Sequence, residues 1–196
     1  MLFRSPGVDD GVQSMEESLQ ILREMEQQGI RRVWLTPHIM EDIPNETLAL
    51  QRKFWELLQQ YRGAVELKLA AEYMLDNLFE ERLEKEDLLL LEEGKRFLLV
   101  ETSYFNPPMD LLSVLQRIQK KGYYPLLAHP ERYEYMQKED YNTLKEEHIS
   151  FQLNLPSLAG MYGKHVQKKA EDLLKAGMYD RMGGDTHSAA SYQIGR

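Results

Sequence analysis

Five short apolar runs in this chain end in a residue able to bind a metal ion or move a proton. Val33-Trp34-Leu35-Thr36-Pro37 stops at His38, Leu67-Lys68-Leu69-Ala70-Ala71 at Glu72, and Phe97-Leu98-Leu99-Val100 at Glu101. Leu126-Leu127-Ala128 stops at His129, and Met182-Gly183-Gly184 runs into Asp185-Thr186-His187. An apolar run that ends at such a residue reads as a buried strand delivering a ligand at its C-terminal end, with a neighbouring proline helping to stop it. In Asp185-Thr186-His187 both polar side chains can lie on one side of an extended segment. Asp10 sits in the turn Pro6-Gly7-Val8-Asp9-Asp10-Gly11 and could join the same face. Imidazole and carboxylate without thiolate suit zinc, manganese or iron. A carboxylate that bridges two such ions is a device for activating water against a phosphoester.

Each residue taken alone has a plainer explanation. A histidine at a strand end is more often hydrogen-bonded structure than a ligand, Glu101 could cap a loop, and Asp9-Asp10-Gly11 could be only a turn. His148 and His165 lie in or beside polar helical stretches and read as surface residues, and Tyr123, Tyr124, Tyr133 and Tyr135 as packing and rim aromatics. The inference rests on the joint pattern.

Composition narrows the classes. With 196 residues, the chain is long enough for one substantial core and too short for two full domains, so 1–196 is expected to form one. A formal net charge of −8 argues against a nucleic-acid backbone as the main partner, and the pairs Lys120-Lys121 and Lys168-Lys169 read as solvated helix faces. No run approaches the roughly 20 apolar residues of a membrane helix, and no signal peptide is visible, so membrane insertion is not expected. The absence of cysteine excludes an attacking thiolate and fits a reducing, cytoplasmic setting.

The elements that must position the candidate ligands alternate along the chain. Ser14 with Glu17 reads as a capping box for a helix whose inner face carries Met15, Ser18, Leu19, Leu22 and Met25. Strands are expected over Ile30–Thr36, Val65–Glu72, Arg96–Glu101, Tyr123–Ala128 and Ile149–Leu153, with Met178–Met182 leading into Asp185. Helices are expected near 46–61 with Gly63 as its stop, in short pieces over 76–93, over about 109–121, through 131–148 and over about 164–176, with 154–163 as a loop. Gly29, Gly122 and Gly177 each close a helix just before a strand. This cadence predicts an α/β fold with a parallel sheet and crossover helices, and six or seven such units favour a barrel over an open sheet. No Gly-x-Gly-x-x-Gly opens the first unit, which weighs against a dinucleotide site. In a barrel the strand ends share one face, so His38, Glu72, Glu101, His129, Asp185 and His187 would converge.

At these residues the sequence resembles the PHP-type bacterial protein tyrosine phosphatases of capsule and exopolysaccharide operons, members of the polymerase and histidinol phosphatase superfamily. The resemblance is carried by Pro6-Gly7-Val8-Asp9-Asp10-Gly11, Thr36-Pro37-His38, Ala71-Glu72, Val100-Glu101 and Ala128-His129-Pro130-Glu131-Arg132-Tyr133. It continues in Gln152-Leu153-Asn154, Ser157-Leu158-Ala159-Gly160-Met161-Tyr162-Gly163 and Gly184-Asp185-Thr186-His187. It implies a distorted (β/α)7 TIM-like barrel and two or three divalent metal ions, commonly manganese, iron or zinc. It also implies that Glu72, Glu101 and His129 hold one metal, that Asp10, His38 and His187 hold a second, and that Asp185 with Glu72 serves a third. Arg132, with His129 and Asp185 in the catalytic set, would grip the phosphate through its planar fork. The implied substrate is phosphotyrosine on the tail of a bacterial tyrosine autokinase.

The chain departs from that pattern at both ends. The family opens with His-x-His before the Pro-Gly-Val-Asp-Asp-Gly turn, where Met1 and Phe3 stand here, and it usually continues beyond Asp-x-His, whereas this chain stops at Arg196. The first strand and the C-terminus are therefore expected to be truncated, and activity to be impaired by the loss of two ligands. Two rival functions follow: a non-catalytic protein that binds the kinase tail with the same fold, and a small-molecule phosphatase of the superfamily acting on an ester such as histidinol phosphate.

Overall fold

The computed structural model describes residues 14–91, 93–106 and 108–184, and the backbone of Leu2–Phe3. In chain order the strands and helices are β1 (Leu2–Phe3), α1 (Met15–Gln27), β2 (Arg32–Leu35), β3 (His38–Ile39), α2 (Thr47–Gln60), β4 (Glu66–Leu69), β5 (Glu72–Met74) and α3 (Asn77–Lys85). They continue as β6 (Phe97–Glu101), α4 (Leu111–Lys120), β7 (Tyr124–Ala128), α5 (Lys138–Glu146), β8 (Ser150–Asn154), α6 (Leu155–Leu158), α7 (Lys164–Lys175) and β9 (Arg181–Gly183).

Local chemistry fixes the helix starts. Ser14 Oγ accepts from Glu17 N–H at 3.1 Å, Asp76 from Phe79 N–H at 2.9 Å, and Asp110 from Ser113 N–H at 3.1 Å. Gln137 and Asp140 form a reciprocal capping box on α5. Gly29, Gly122 and Gly177 take left-handed φ of 79°, 81° and 67°, which lets the chain leave each helix and enter the following strand.

Every strand pair is parallel. Two ladders are formed, β1-β2-β4 and β3-β5-β6-β7-β8-β9. They are two parts of one surface. Leu35 pairs with Leu69 and His38 with Glu72, the same offset on both sides of Thr36-Pro37 and Ala70-Ala71. Ala70 N–H bonds Leu35 C=O at 2.8 Å and Glu72 N–H bonds Pro37 C=O at 3.0 Å, so the register carries across the break. The strands then follow one another in chain order around the surface, which is the winding of a barrel rather than of a doubly wound sheet.

Side-chain alternation divides the core. Leu98, Val100, Leu127 and Phe151 face outward with Leu115, Ile118, Tyr141 and Leu144 of the helix layer. Val33 and Leu35 meet Ile21, Leu22 and Met25 of α1 and Leu57 of α2. Ala70, Leu99, Leu126 and Ala128 form an inner cluster, with Trp34 and Phe97 against it. Strands covered on both faces read as continuous apolar runs, which is why they were visible in the sequence.

The structure differs from the sequence reading in several places. The strand expected over Val65–Glu72 is interrupted at Ala70-Ala71. Of 76–93, only Asn77–Lys85 is α-helical. Glu86 takes φ 55° and ends it, and Leu88–Leu91 is irregular, with Leu89 N–H bonded to the Tyr73 hydroxyl. The helix expected through 131–148 is only Lys138–Glu146. Before it come a 3-10 turn, Pro130–Arg132, and irregular chain whose Tyr133 and Met136 are buried. The loop 154–163 contains α6, and Ile21, missed in the sequence, joins the buried face of α1. Gly63 is not a left-handed helix stop. A Cβ there would meet Glu26 Oε2 and the Tyr61 hydroxyl, so these side-chain ends would have to shift to admit any other residue. Lys169 is half-buried rather than solvated, and its Nζ donates to Tyr133 C=O at 2.6 Å.

Candidate metal centre

The inner file of each strand continues past the apolar core into a polar end. On the alternation that puts Trp34 inside, His38 follows inside. Glu72 follows Ala70, Glu101 follows Phe97 and Leu99, and Asn154 follows Gln152. All five polar residues are buried. His38 and Glu72 open β3 and β5, whereas Glu101 and Asn154 are the last residues of β6 and β8.

Three of these strand ends meet. Donor atoms of His38, Glu72 and Glu101 all lie within 4.8 Å of one another, a grouping that could hold a metal ion. His38 Nδ1 stands 2.9 Å from Glu101 Oε1 and 3.9 Å from Glu72 Oε2. His129 joins from β7, with Nε2 3.1 Å from Glu72 Oε1 and 3.5 Å from Glu101 Oε2.

His129 reaches the cluster by breaking the alternation. Leu127 points outward and Ala128 inward, so a continued strand would turn residue 129 outward. Instead His129 takes φ 33°, ψ 54°, and Pro130 starts the 3-10 turn immediately after it. The left-handed region is unfavourable for a residue with a Cβ, so this backbone is held by its surroundings. The Tyr133 hydroxyl is one such restraint. It donates to Ala128 C=O at 2.8 Å and accepts from Thr102 N–H at 3.3 Å, stapling the ends of β7 and β6 beside His129 and Glu101.

The chemistry of the donor set suits a divalent cation. Two carboxylates at 3% and 2% exposure share the space with two imidazoles. Buried charge of this kind is costly unless it is paired or coordinates a metal. The contact of Glu101 Oε1 with His38 lacks hydrogen-bond alignment, and Glu101 Oε1 has no hydrogen-bond donor among the described residues. Burial alone would lower the pKa of His129, but the hydrogen bond to Glu72 and the charges of Glu72 and Glu101 outweigh both burial and the nearby Arg132. Its pKa therefore lies above the usual value, the sign of a local negative field. Two imidazoles and two carboxylates in a negative, buried cluster fit a borderline divalent metal.

Arg132 projects from the turn after His129. Its guanidinium carbon lies 4.4 Å from the ring centroid of Tyr104 and 4.1 Å from that of Tyr162. Tyr104 in turn stands 5.7 Å, centroid to centroid, from His129. A cation, its aromatic walls and the acidic cluster thus occupy one end of the sheet.

Of the residues singled out in the sequence, the structure brings together His38, Glu72, Glu101 and His129, with Arg132 beside them. Asp10, Asp185 and His187 lie outside the described residues, as does the side chain at position 3 and all of Met1. His148 and His165 are exposed. Sequence reasoning missed Glu131, which is fully buried. Its Oε1 accepts from Asn154 N–H at 3.0 Å and its Oε2 from the Tyr179 hydroxyl at 3.0 Å. An acid in an otherwise conspicuous run was the only signal it left. Tyr162 stood in the run Ser157–Gly163 that carries the resemblance, without a role of its own, and Tyr104 gave no signal because its partner is distant in sequence.

Parallel strands wound in chain order, with imidazoles and carboxylates gathered at one end, define a curled α/β sheet of barrel type with a candidate metal centre. Residues 5–193 match the family model described as capsular polysaccharide synthesis, CpsB/CapC, and the chain belongs to that family. It is 27% identical over 190 residues to the tyrosine-protein phosphatase YwqE of Bacillus subtilis, covering 93% of this chain and 74% of that protein. It is 29% identical over 203 residues to the tyrosine-protein phosphatase CpsB of Streptococcus pneumoniae, covering 94% and 80%. A chain from the crystal structures of YwqE and CpsB, described as unique metal-dependent tyrosine phosphatases, superposes with a TM-score of 0.84 at 24% identity. The match covers all of this chain and 84% of that one, and the likeness shows the shared fold. The expectation of an α/β fold whose parallel sheet curls as in a barrel is borne out. No helix among the described residues is long and apolar enough to cross a membrane.

Proposed function

We propose that this chain is a metal-dependent protein tyrosine phosphatase that removes phosphate from phosphotyrosine on a bacterial tyrosine autokinase of capsule and exopolysaccharide synthesis. The observation that carries the reading is the buried meeting of His38, Glu72, Glu101 and His129 beside Arg132. The printed names of YwqE and CpsB support the phosphotyrosine substrate, and the family description supports the capsule setting. The proposed compartment is the cytoplasm, with which the absence of cysteine is consistent.

Glu72, Glu101 and His129 would hold one ion, His38 with Asp10 and His187 a second, and Asp185 with Glu72 a third. The proposed ions are manganese, iron or zinc, two or three in number. When bound, they would supply Lewis acidity and a lowered pKa for water. The chain's own residues do the remaining work. Arg132 offers two N–H groups in a plane to two phosphate oxygens and offsets the charge of the dianion. Glu72, between His38 and His129, fixes the separation of the two imidazoles. Tyr104 and Tyr133 wall off the cluster on the side of His129 and limit the access of bulk water. Asp185 completes the proposed catalytic set.

A second reading, binding of the kinase tail without turnover, is favoured by one observation: Met1 and Phe3 stand where the resemblance places two histidines. A substrate panel at fixed metal separates the readings. Turnover is expected with a phosphotyrosine peptide and p-nitrophenyl phosphate, and little with phosphoserine peptide or histidinol phosphate. Preference for histidinol phosphate would assign the chain to small-molecule chemistry, and peptide binding without phosphate release would assign it to the non-catalytic reading.

A further inference from the structure

The turn that carries Arg132 is anchored by a buried carboxylate, and two aromatic rings lie close to its guanidinium. Glu131, the preceding residue, is fully buried and holds Asn154 N–H and the Tyr179 hydroxyl, each at 3.0 Å. Asn154 also donates from Nδ2 to the Tyr162 hydroxyl at 3.4 Å. The guanidinium carbon lies over the Tyr162 ring at 4.1 Å and over the Tyr104 ring at 4.4 Å. The end of β8 therefore anchors both the backbone of the turn, through Glu131, and one aromatic wall, through Tyr162. Tyr104 is fixed independently, with its ring stacked 6.2 Å from Tyr133, centroid to centroid.

This arrangement has a specific consequence. The N–H bonds of a guanidinium lie in its own plane, and aromatic faces attract the cation from above or below that plane. Two ring centroids within 4.1 and 4.4 Å of the guanidinium carbon oppose rotation of the side chain. Fixing the edge matters because two parallel bonds to phosphate need the fork in one orientation. A free arginine side chain would lose rotamer freedom on binding, and a held one loses less.

We propose that Tyr104, Tyr162 and Glu131 are positioning residues that set the plane of the Arg132 guanidinium for phosphate binding, with Asn154 coupling Glu131 to Tyr162. The inference rests on the reading of Arg132 as the phosphate-binding group. It adds three residues whose role is exerted through Arg132 and not by contact with the reacting atoms.

The test uses the full-length, metal-loaded protein. KM and kcat are measured for p-nitrophenyl phosphate, and the affinity for inorganic phosphate is measured by calorimetry. The variants are Tyr162→Phe, Tyr162→Leu, Tyr104→Leu and Glu131→Gln, each alone and with Arg132→Ala. Tyr162→Leu and Tyr104→Leu should weaken phosphate binding and raise KM about three- to tenfold, with kcat moved less. Tyr162→Phe, which keeps the ring but loses the bond from Asn154 Nδ2, should give a KM between those of wild type and Tyr162→Leu. Glu131→Gln, which keeps the shape and an acceptor for Asn154 N–H, should fold and give a smaller rise than Tyr162→Leu. With Arg132→Ala present, all of these effects should vanish, whereas damage to the fold would persist. Effects that survive in the Arg132→Ala background, or Leu variants with unchanged phosphate affinity, overturn the proposal. If Arg132→Ala alone leaves KM and phosphate affinity unchanged, the underlying reading of Arg132 fails, and the positioning role fails with it.

Discussion

His129 Nε2 lies 3.1 Å from Glu72 Oε1, although the alternation of β7 would turn residue 129 away from that carboxylate. The contact exists because the backbone of His129 takes φ 33° and re-aims the imidazole into the inner file. The fold thus accepts local strain to place one side chain, the usual relation of strained backbone to a functional position.

That strain has a measurable signature. His129→Gly and His129→Ala both remove the imidazole, yet only glycine tolerates the left-handed backbone without penalty. At an ordinary strand position alanine would be the more stable of the two. Here the glycine variant should be more stable than the alanine variant by about 0.5–1 kcal/mol in urea denaturation. An alanine variant of equal or greater stability would show that the backbone conformation is not an obligatory feature of the fold.

The Tyr133 hydroxyl links the strand ends that deliver His129 and Glu101. Tyr133→Phe leaves Ala128 C=O and Thr102 N–H without this partner in a buried setting. The expected cost is about 1–3 kcal/mol of stability. Metal affinity should fall as well, since both strand ends lose their staple. Equilibrium unfolding and metal titration of the variant check the two parts separately.

Burial pushes the phenols of Tyr133, Tyr141 and Tyr179 above their usual value, and the nearby charge of Glu101 adds to the effect at Tyr133 and that of Glu131 at the other two. A phenol whose folded pKa is raised contributes nothing against unfolding below the unfolded value of about 10, because both states are protonated there. Above that pH the unfolded chain releases protons that the folded chain retains, so stability must fall as pH rises. Alkaline titration should therefore show these phenolates appearing together with loss of helical circular dichroism. Smooth ionisation of every tyrosine near pH 10 in a folded protein would contradict the burial.

Much of this was legible in the sequence, for identifiable reasons. β6 and β7 are buried along most of their length, so the runs before Glu101 and His129 read as continuous and stop at a polar residue, whereas the half-exposed β4 alternates through Lys68 before Glu72. Gly29, Gly122 and Gly177 marked the turns because a left-handed exit from a helix favours glycine. What could not be read depended on distant partners. Glu131 looked like any acid in a polar segment until Asn154 and Tyr179 were brought to it. Lys169 looked solvated until Tyr133 C=O was placed beneath its ammonium. The break at Ala70-Ala71 was invisible because two small apolar residues preserve the alternation while the ladder is interrupted. The helix expected through 131–148 was overread because its polarity masked the buried Tyr133 and Met136.

The cluster of His38, Glu72, Glu101 and His129 is proposed to hold the metal on which phosphotyrosine hydrolysis depends. The direct test is the bound metal and the phosphate released from a phosphotyrosine peptide, for wild type and Glu72→Gln, after stripping with chelator and resupply of manganese. Wild type should lose hydrolysis when stripped and regain it as metal rebinds, while Glu72→Gln should bind less metal and regain at most about one hundredth of the wild-type rate. Hydrolysis by the stripped protein at the original rate, or a Glu72→Gln variant that recovers as fully as wild type, would contradict the account.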